Sequence, residues 1–431
     1  MKVGLYIPFF NAEKYIKDTL QSVFKQTQTP LDIVLVDDSS IDKTAQIVSQ
    51  YPVRRIKHVN NKGLAVARNS AIKNMETEFI ASLDADCAAE PDWLECLMQR
   101  FDSPEVAGVG GKLVEKHTKA AYDKWRSVHM KQHWEEKEDS PVFLCGSNTV
   151  FRRQALLDVG LYNEHFRHNY EDVDISERLR AKGYRLVYEP KAIVYHLKRD
   201  DLYSLLNNYW NWNLPYYQKK EFYLNYKNFA DKLEDNIGLA NRYITEDIAA
   251  QRNELVYLDF LLGLHHCLKD FEYYIARSNT RFLKHSKTSA WLSLIDLTFF
   301  YHFDADKKKI STFMPKANAY LQNFLALLLV ISKAIRSKFK SEKFQDILCK
   351  HLLQSVYNMD NDYLAKKVLI LTRKHHDWSQ LWKKDHPHLD ELFLKKVFNS
   401  LNRWLKSLMH DKPQMIRAIE LSAEKMYEEY F

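Results

Sequence analysis

Through the first two hundred residues, short apolar runs alternate with amphipathic stretches; beyond them the alternation stops. Val3–Pro8, Ile33–Val36, Arg55–Val59 and Phe79–Leu83 read as strands, and Ala12–Gln26, Lys43–Gln50, Ala65–Asn74 and Pro91–Phe101 as helices. Strands alternating with helices predict a parallel α/β sheet. Further on, Val173–Lys182 reads as a helix, and Arg185–Tyr188 followed by Ala192–His196 as a strand. Eight of the ten glycines and seven of the eleven prolines precede residue 192, so the second part lacks the punctuation that frequent turns require. It is helical in pattern, with apolar residues at helical spacing in Phe324–Ser337 and Asp362–Leu371. An α/β domain over 1–199 and a mainly α-helical domain over 200–431 are expected.

Two of the strands run straight into acids. Ile33-Val34-Leu35-Val36 leads into Asp37-Asp38, and Phe79-Ile80-Ala81-Ser82-Leu83 into Asp84-Ala85-Asp86. The C-terminal ends of buried parallel strands are where such sheets meet ligands. Clustered carboxylates there are unfavourable unless a positive group joins them, and a divalent metal carrying a diphosphate suits that need. This chemistry points to an enzyme acting on a nucleotide-linked substrate.

Composition narrows the setting. A chain of 431 residues suggests two domains; with 46% hydrophobic and 28% charged residues it is expected to fold. The net charge of +7 suits an anionic substrate, a phosphate-rich membrane surface or nucleic acid. Nucleic acid is disfavoured, since the lysines are dispersed and no recognition module is seen. Five scattered cysteines without a CxxC pair argue against a disulfide framework or a zinc site and fit a reducing cytoplasm. No leader precedes Val3, and the longest apolar run, Phe324–Ile331, falls well short of the roughly 20 residues of a spanning helix. A cytoplasmic protein is expected, with a peripheral place on the inner face of the membrane compatible with the pattern.

Taken in order, further motifs accompany these acids: Pro8-Phe9-Phe10-Asn11-Ala12-Glu13, Asp37–Thr44, Asn61-Lys62-Gly63, Ala67-Arg68-Asn69, Asp84-Ala85-Asp86, Gly146-Ser147-Asn148, Arg152-Arg153, Gly160, Tyr170–Asp174, Arg178, Gly183-Tyr184 and Val194-Tyr195-His196. In this order they resemble a family 2 glycosyltransferase over a little under half of the chain. The resemblance implies a GT-A nucleotide-sugar-binding fold, a nucleotide-diphosphate sugar as donor, and a glycan, glycolipid or protein as acceptor. It implies donor contacts from Pro8, Phe9, Phe10, Asn11, Glu13, Asp37, Asp38, Arg68, Asp84, Ala85 and Asp86, with an acid of the Asp37-Asp38 pair accepting the ring N–H of the base. It also implies acceptor contacts from Gly146, Ser147 and Asn148. Asp86 and His196 would hold Mn²⁺ or Mg²⁺, the imidazole favouring Mn²⁺. Of Glu171-Asp172, the resemblance makes Asp172 the general base for an acceptor hydroxyl, and the start of helix Val173–Lys182 would stabilise the anion. One base and no second nucleophile imply a single displacement with inversion.

Each motif has a plainer reading. Asp38 and Ser39 could cap the following helix, Glu171-Asp172 could cap theirs, and His196 is one histidine among 17. Asp304-Ala305-Asp306 repeats the DxD letters before Lys307-Lys308-Lys309 without companion motifs, and is read as a solvated loop. No QxxRW segment occurs, which speaks against processive polymer synthesis. The aromatic stretch Tyr203–Tyr217 offers core packing or a platform for acceptor or membrane surface. A non-catalytic nucleotide-sugar-binding scaffold is the alternative function; its site would have no need of intact Asp84, Asp86 and Asp172.

Overall fold

A computed structural model of the chain describes residues 2–134, 140–221, 226–278, 334–335, 338–357, 399–408 and 413–430. The Asp304–Asp306 triplet, the run Phe324–Ile331 and the predicted helix Asp362–Leu371 lie outside these; of Phe324–Ser337 only 334–335 are described, and they are helical. The chain divides into two compact units, Met1–Asp200 and Asp201–Phe431.

The first unit runs β1 (Val3–Phe9), α1 (Ile16–Val23), β2 (Asp32–Asp37), α2 (Thr44–Val48), β3 (Arg54–Lys57), α3 (Leu64–Lys73), β4 (Phe79–Leu83), β5 (Cys87–Ala89), α4 (Trp93–Met98), β6 (Val106–Glu115), α5 (Ala121–His129), β7 (Asn148–Arg152), α6 (Arg153–Asp158), α7 (Glu171–Ala181) and β8 (Arg185–His196). The eight strands form one sheet in the order β3-β2-β1-β4-β7-β6-β8-β5. Successive residues of β1 enter opposite faces: Leu5 and Ile7 pack with Leu20, Trp93 and Val109, while Tyr6 packs with Val34, Ile72 and Phe151. Apolar cover on both faces is why the strands read as near-continuous hydrophobic runs.

The sheet is mixed, a correction to the all-parallel expectation. β3, β2, β1 and β4 are parallel, but β7 runs antiparallel to both β4 and β6, and β5 antiparallel to β8. The chain returns along β4 as β7, and an antiparallel ladder needs no crossover helix at that point. The parallel part still brings the ends of β1, β2, β3 and β4 to one edge, and the parallel β6–β8 pair sets Glu115 opposite His196.

The second unit is helical over its described residues: α8 (Leu202–Lys219), α9 (Tyr226–Ala249), α10 (Val256–Ser278), Glu342–Tyr357 and Pro413–Tyr430. Asp201 opens α8 with a capping box, its Oδ1 accepting the Ser204 amide at 2.7 Å while Ser204 Oγ accepts the Asp201 amide at 2.9 Å. Gly263 on α10 allows close approach to α9, since a Cβ there would lie 2.8 Å from Ala240 Cβ. Tyr209, Trp210 and Tyr217 are buried inside this unit, which agrees with the core-packing alternative for these three; Tyr216 is exposed and Tyr203 and Trp212 are half-buried.

Candidate active site

The carboxylates gather where strands end. Asp37 closes β2 with its side chain buried; Oδ1 accepts the Ser40 amide at 2.7 Å, and Oδ2 is buried with no hydrogen-bond partner. Its neighbour Asp38 has a partner on each oxygen. Oδ1 lies 2.6 Å from His58 Nδ1 and accepts the Lys62 amide at 2.9 Å, and Oδ2 accepts the Gly63 amide at 2.8 Å. Asp38 therefore holds the turn that starts α3 rather than capping α2, where Asp42 takes the amide and hydroxyl of Thr44. Gly63 adopts φ +97°, and a Cβ on it would meet the Arg167 carbonyl oxygen at 2.8 Å, so the turn requires glycine.

Arg68 on α3 joins three motifs. It is buried, and its guanidinium donates through Nη1 to Ser82 Oγ (2.6 Å) and the Gly146 carbonyl (3.0 Å), through Nη2 to Asp84 Oδ1 (3.0 Å) and through Nε to Glu171 Oε1 (3.3 Å). The Gly146 amide donates in turn to Asp172 Oδ2 at 3.0 Å, and Asp172 Oδ1 accepts the Val173 amide at 2.8 Å. A Cβ at Gly146 would lie 2.8 Å from Arg68 Nη2, so the close approach depends on the missing side chain.

Burial raises the Glu171 carboxyl to about 7; neighbouring Asp172 adds to the rise and Arg68 opposes it. Burial likewise raises Asp172, against the stabilising Gly146 amide, and raises Asp84 against the pull of Arg68. Glu171 faces inward with Oε2 unpartnered, while Asp172 is part-exposed. Of the two, only Asp172 reaches the surface.

A second cluster stands at the ends of β5, β6 and β8. His196 lies with Nε2 3.3 Å from Asp86 Oδ2 and Nδ1 3.0 Å from Glu115 Oε2. Burial would lower its pKa, but Asp86 and Glu115 raise it to about 9; burial would raise Asp86, but His196 holds it well below the usual carboxylate range. The donor set fits a divalent cation. Two neighbouring ligands of one octahedral ion, each at ~2.1 Å, stand about 3 Å apart, close to the observed nitrogen–oxygen separation. The outward oxygens are part of that fit, Asp84 and Asp86 being 29% and 28% exposed at the side chain.

Several expected contact residues serve the scaffold instead. Asn11, at φ +51°, accepts the Ile41 amide on Oδ1 (2.9 Å), and Glu13 accepts the Lys43 amide on Oε2 (3.0 Å), so both stitch the loop after β1 to the loop after β2. That stitching also delays α1 to Ile16. Pro8 pairs with Val36 within the sheet, Phe9 and Ala85 pack in the core, and Phe10 and Asn11 after the strand are exposed. Asn148 is a correction: its side chain is fully buried, accepting Trp93 Nε1–H at 2.6 Å and donating to the Ala192 carbonyl at 3.3 Å, and cannot meet an acceptor. Ser147 Oγ is buried without a partner, and Gly146 contributes its backbone to Arg68 and Asp172. Sequence reasoning missed His58, Glu115 and Arg126. Glu115 carried a signal, because Val106–Val114 is an apolar stretch running into an acid, the same pattern that marked Asp37.

The strand ends of this α/β sheet thus gather carboxylates, the buried arginines Arg68 and Arg126 and the buried histidines His58 and His196. Residues 5–160 match the sequence family Glycosyl transferase family 2, and this stretch is a family 2 glycosyltransferase domain. The chain is 32% identical over 185 residues to the pre-mycofactocin glycosyltransferase of Mycobacterium tuberculosis, covering 40% of this chain and 38% of that protein. It is 24% identical over 216 residues to the poly-beta-1,6-N-acetyl-D-glucosamine synthase of Staphylococcus aureus, covering 47% and 52%. The chain thus spans about two-fifths to half the length of these relatives. The mannosyltransferase PcManGT from Pyrobaculum calidifontis, solved with GDP-Man and Mn²⁺, overlaps 75% of this chain and 85% of its own with a TM-score of 0.40 at 17% identity.

Proposed function

We propose that the chain is an inverting GT-A glycosyltransferase that moves a sugar from a nucleotide-diphosphate donor to a hydroxyl of a glycan, glycolipid or protein acceptor. The observation that carries this reading is the Arg68 hub. One buried guanidinium ties the donor-side Asp84 to Glu171 and, through Gly146, to Asp172, so donor and proton acceptor share one framework.

In this reading Asp37 Oδ2 meets the ring N–H of the base, Asp84 faces the ribose, and Asp86 with His196 holds Mn²⁺ or Mg²⁺. When bound, such a cation stabilises the charge gathering on the leaving diphosphate. Asp172 takes the proton of the acceptor hydroxyl as its oxygen attacks the anomeric carbon. The bond from that carbon to the diphosphate oxygen breaks, the electron pair leaves with the nucleoside diphosphate, and the anomeric configuration inverts. Two amide N–H groups on Asp172 leave it capacity for that proton, since a carboxylate offers about four acceptor positions, and its raised pKa makes it a better base. Arg68 acts by position, with its donors directed to protein groups.

The five cysteines are free thiols, and among the described residues no helix is long and apolar enough to cross a membrane. A cytoplasmic enzyme with peripheral membrane contact is part of the proposal, as is an acceptor- or partner-binding role for the helical unit. The test is turnover against a panel of UDP- and GDP-sugars with Mn²⁺ or Mg²⁺, reading the product's anomeric configuration by NMR. Retention overturns the mechanism. Donor binding without transfer or hydrolysis across the panel would favour the non-catalytic scaffold.

A further inference from the structure

Between the proposed cation ligands and the interior lies a file of buried side chains. β6 and β8 end in register, pairing Glu115 with His196, while β5 on the other side of β8 pairs Cys87, the residue after Asp86, with the same histidine. The side chains continue this order. Asp86 Oδ2 faces His196 Nε2 at 3.3 Å, His196 Nδ1 faces Glu115 Oε2 at 3.0 Å, and Glu115 Oε1 accepts Arg126 Nε–H at 2.8 Å. Arg126 donates from Nη1 to the wholly buried Asp200. The side chains of His196, Glu115 and Arg126 are each less than a tenth exposed.

Resting on the cation assignment above, we propose that Glu115 and Arg126 are positioning residues for the metal site. Where a cation displaces the Nε2 proton, the proton kept on Nδ1 by Glu115 leaves the Nε2 lone pair for the ion, the form in which an imidazole binds a cation. Outer-shell carboxylates on ligating histidines set both tautomer and ring orientation. Glu115 can hold only one ring orientation because its other oxygen is fixed by Arg126, and Arg126 is fixed by Asp200. Glu115 divides its two oxygens between its neighbours, Oε1 to Arg126 and Oε2 to His196.

The experiment titrates full-length wild type, His196→Ala, Glu115→Gln and Arg126→Lys with Mn²⁺, alone and with UDP or GDP, reading free Mn²⁺ by EPR. Pulsed EPR of the bound ion reads the imidazole nitrogen coupling, and thermal melts report folding. Glu115→Gln should weaken Mn²⁺ about 10–100-fold and change the nitrogen coupling while melting cooperatively; Arg126→Lys should shift both in the same direction by less. If wild type binds no Mn²⁺, or His196→Ala binds it as wild type does, the cation assignment itself falls. If His196→Ala loses Mn²⁺ while Glu115→Gln keeps wild-type affinity and coupling, the positioning role alone is overturned. Should Glu115→Gln fail to fold, Arg126→Lys decides, and wild-type affinity with unchanged coupling there overturns the proposal.

Discussion

His196 and His266 are both buried, yet their surroundings drive them in opposite directions. At the sheet edge His196 stands between Asp86 and Glu115, which outweigh the effect of burial and raise it to about 9. In the helical unit, burial pushes His265 and His266 well below the ordinary value, and His266 stacks on the Tyr209 ring with centroids 5.7 Å apart. The helical unit also buries charge. Asp270 accepts Trp210 Nε1–H and Asn236 Nδ2–H at 2.7 Å each, and lies 3.2 Å from Lys232 Nζ, which stands over the Tyr217 ring. What separates the regions is where the polar network ends. In the helical unit, Lys232 and Asp270 are wholly buried. At the sheet edge the network opens outward through Asp84, Asp86 and Asp172; buried polar atoms without a hydrogen-bond partner occur in both units, on Asp37 and Glu171 here and on His265 and His266 there. Acceptor capacity that opens outward can be met by solvent or by a ligand, whereas a network closed inside the protein can be met only by its own members.

The contrast breaks first at Asp172. Replacing it with Asn keeps its size and most hydrogen bonds but removes its basicity, so turnover should fall by roughly 10²–10⁴-fold with donor affinity nearly unchanged. Steady-state kinetics with calorimetric donor binding tests this, and a near-normal rate removes Asp172 from the chemistry.

Asp270→Ala is the matching lesion in the helical unit. It leaves Lys232 charged and buried, which should cost about 3–5 kcal/mol of stability. Double replacement of Lys232 and Asp270 by Met and Leu should recover part of that loss, because it removes the unpaired charge but still leaves Trp210 Nε1–H and Asn236 Nδ2–H without their acceptor. Urea unfolding measures both. If the double replacement instead abolishes transfer in a folded protein, the Lys232–Asp270 pair belongs to function and the contrast is wrong.

A smaller effect sharpens the sheet-edge side. Glu171 is raised from its model-peptide value of 4.5 to about 7. The groups that set this are Asp172 on α7, Arg68 on α3 and Asp84 after β4. Because the folded protein holds the proton more tightly, Glu171 contributes stability below pH 4.5 that is lost as pH rises through about 7. Glu171→Gln should flatten that part of the stability profile; an unchanged slope in the variant would mean that Arg68 keeps Glu171 ionised throughout.

How much of this was legible beforehand follows from which interactions are local. β4 runs from Phe79 to Leu83 as its apolar stretch predicted, and Asp84, Asp86, Glu171, Asp172 and His196 stand at element ends because hydrophobic runs stop where solvent begins. The antiparallel insertion of β7 was not legible, because register depends on contacts distant in sequence. The same holds for Asn148, whose polarity suggested a ligand but whose amide joins Trp93 to Ala192. Tyr209, Trp210 and Tyr217 show the converse. Aromatics suit a core or a binding face equally well, and partners on α9 and α10 put them inside. The resemblance put Arg68 among the donor contacts; only the fold supplies the Ser82, Gly146, Asp84 and Glu171 oxygens around it.

The finest distinction lies between two adjacent acids. Asp37 and Asp38 are equivalent as letters, but the first keeps a buried oxygen without a partner and the second has both oxygens occupied. Asp37→Asn puts an amide group in place of one carboxylate oxygen and weakens any bond to the ring N–H of a nucleotide base. It should reduce UDP or GDP affinity about 10-fold, in line with ~1.5 kcal/mol for a hydrogen bond to a charged group, with stability little changed. Asp38→Asn can satisfy Lys62 and Gly63 less well and disturbs His58, so it should lower the melting temperature by about 2–4 °C for each kcal/mol lost, with a smaller effect on affinity. Calorimetry with UDP and GDP beside thermal melts separates the two outcomes. If affinity follows Asp38 and stability follows Asp37, the base contact belongs to the second acid, and the free oxygen of Asp37 needs another explanation.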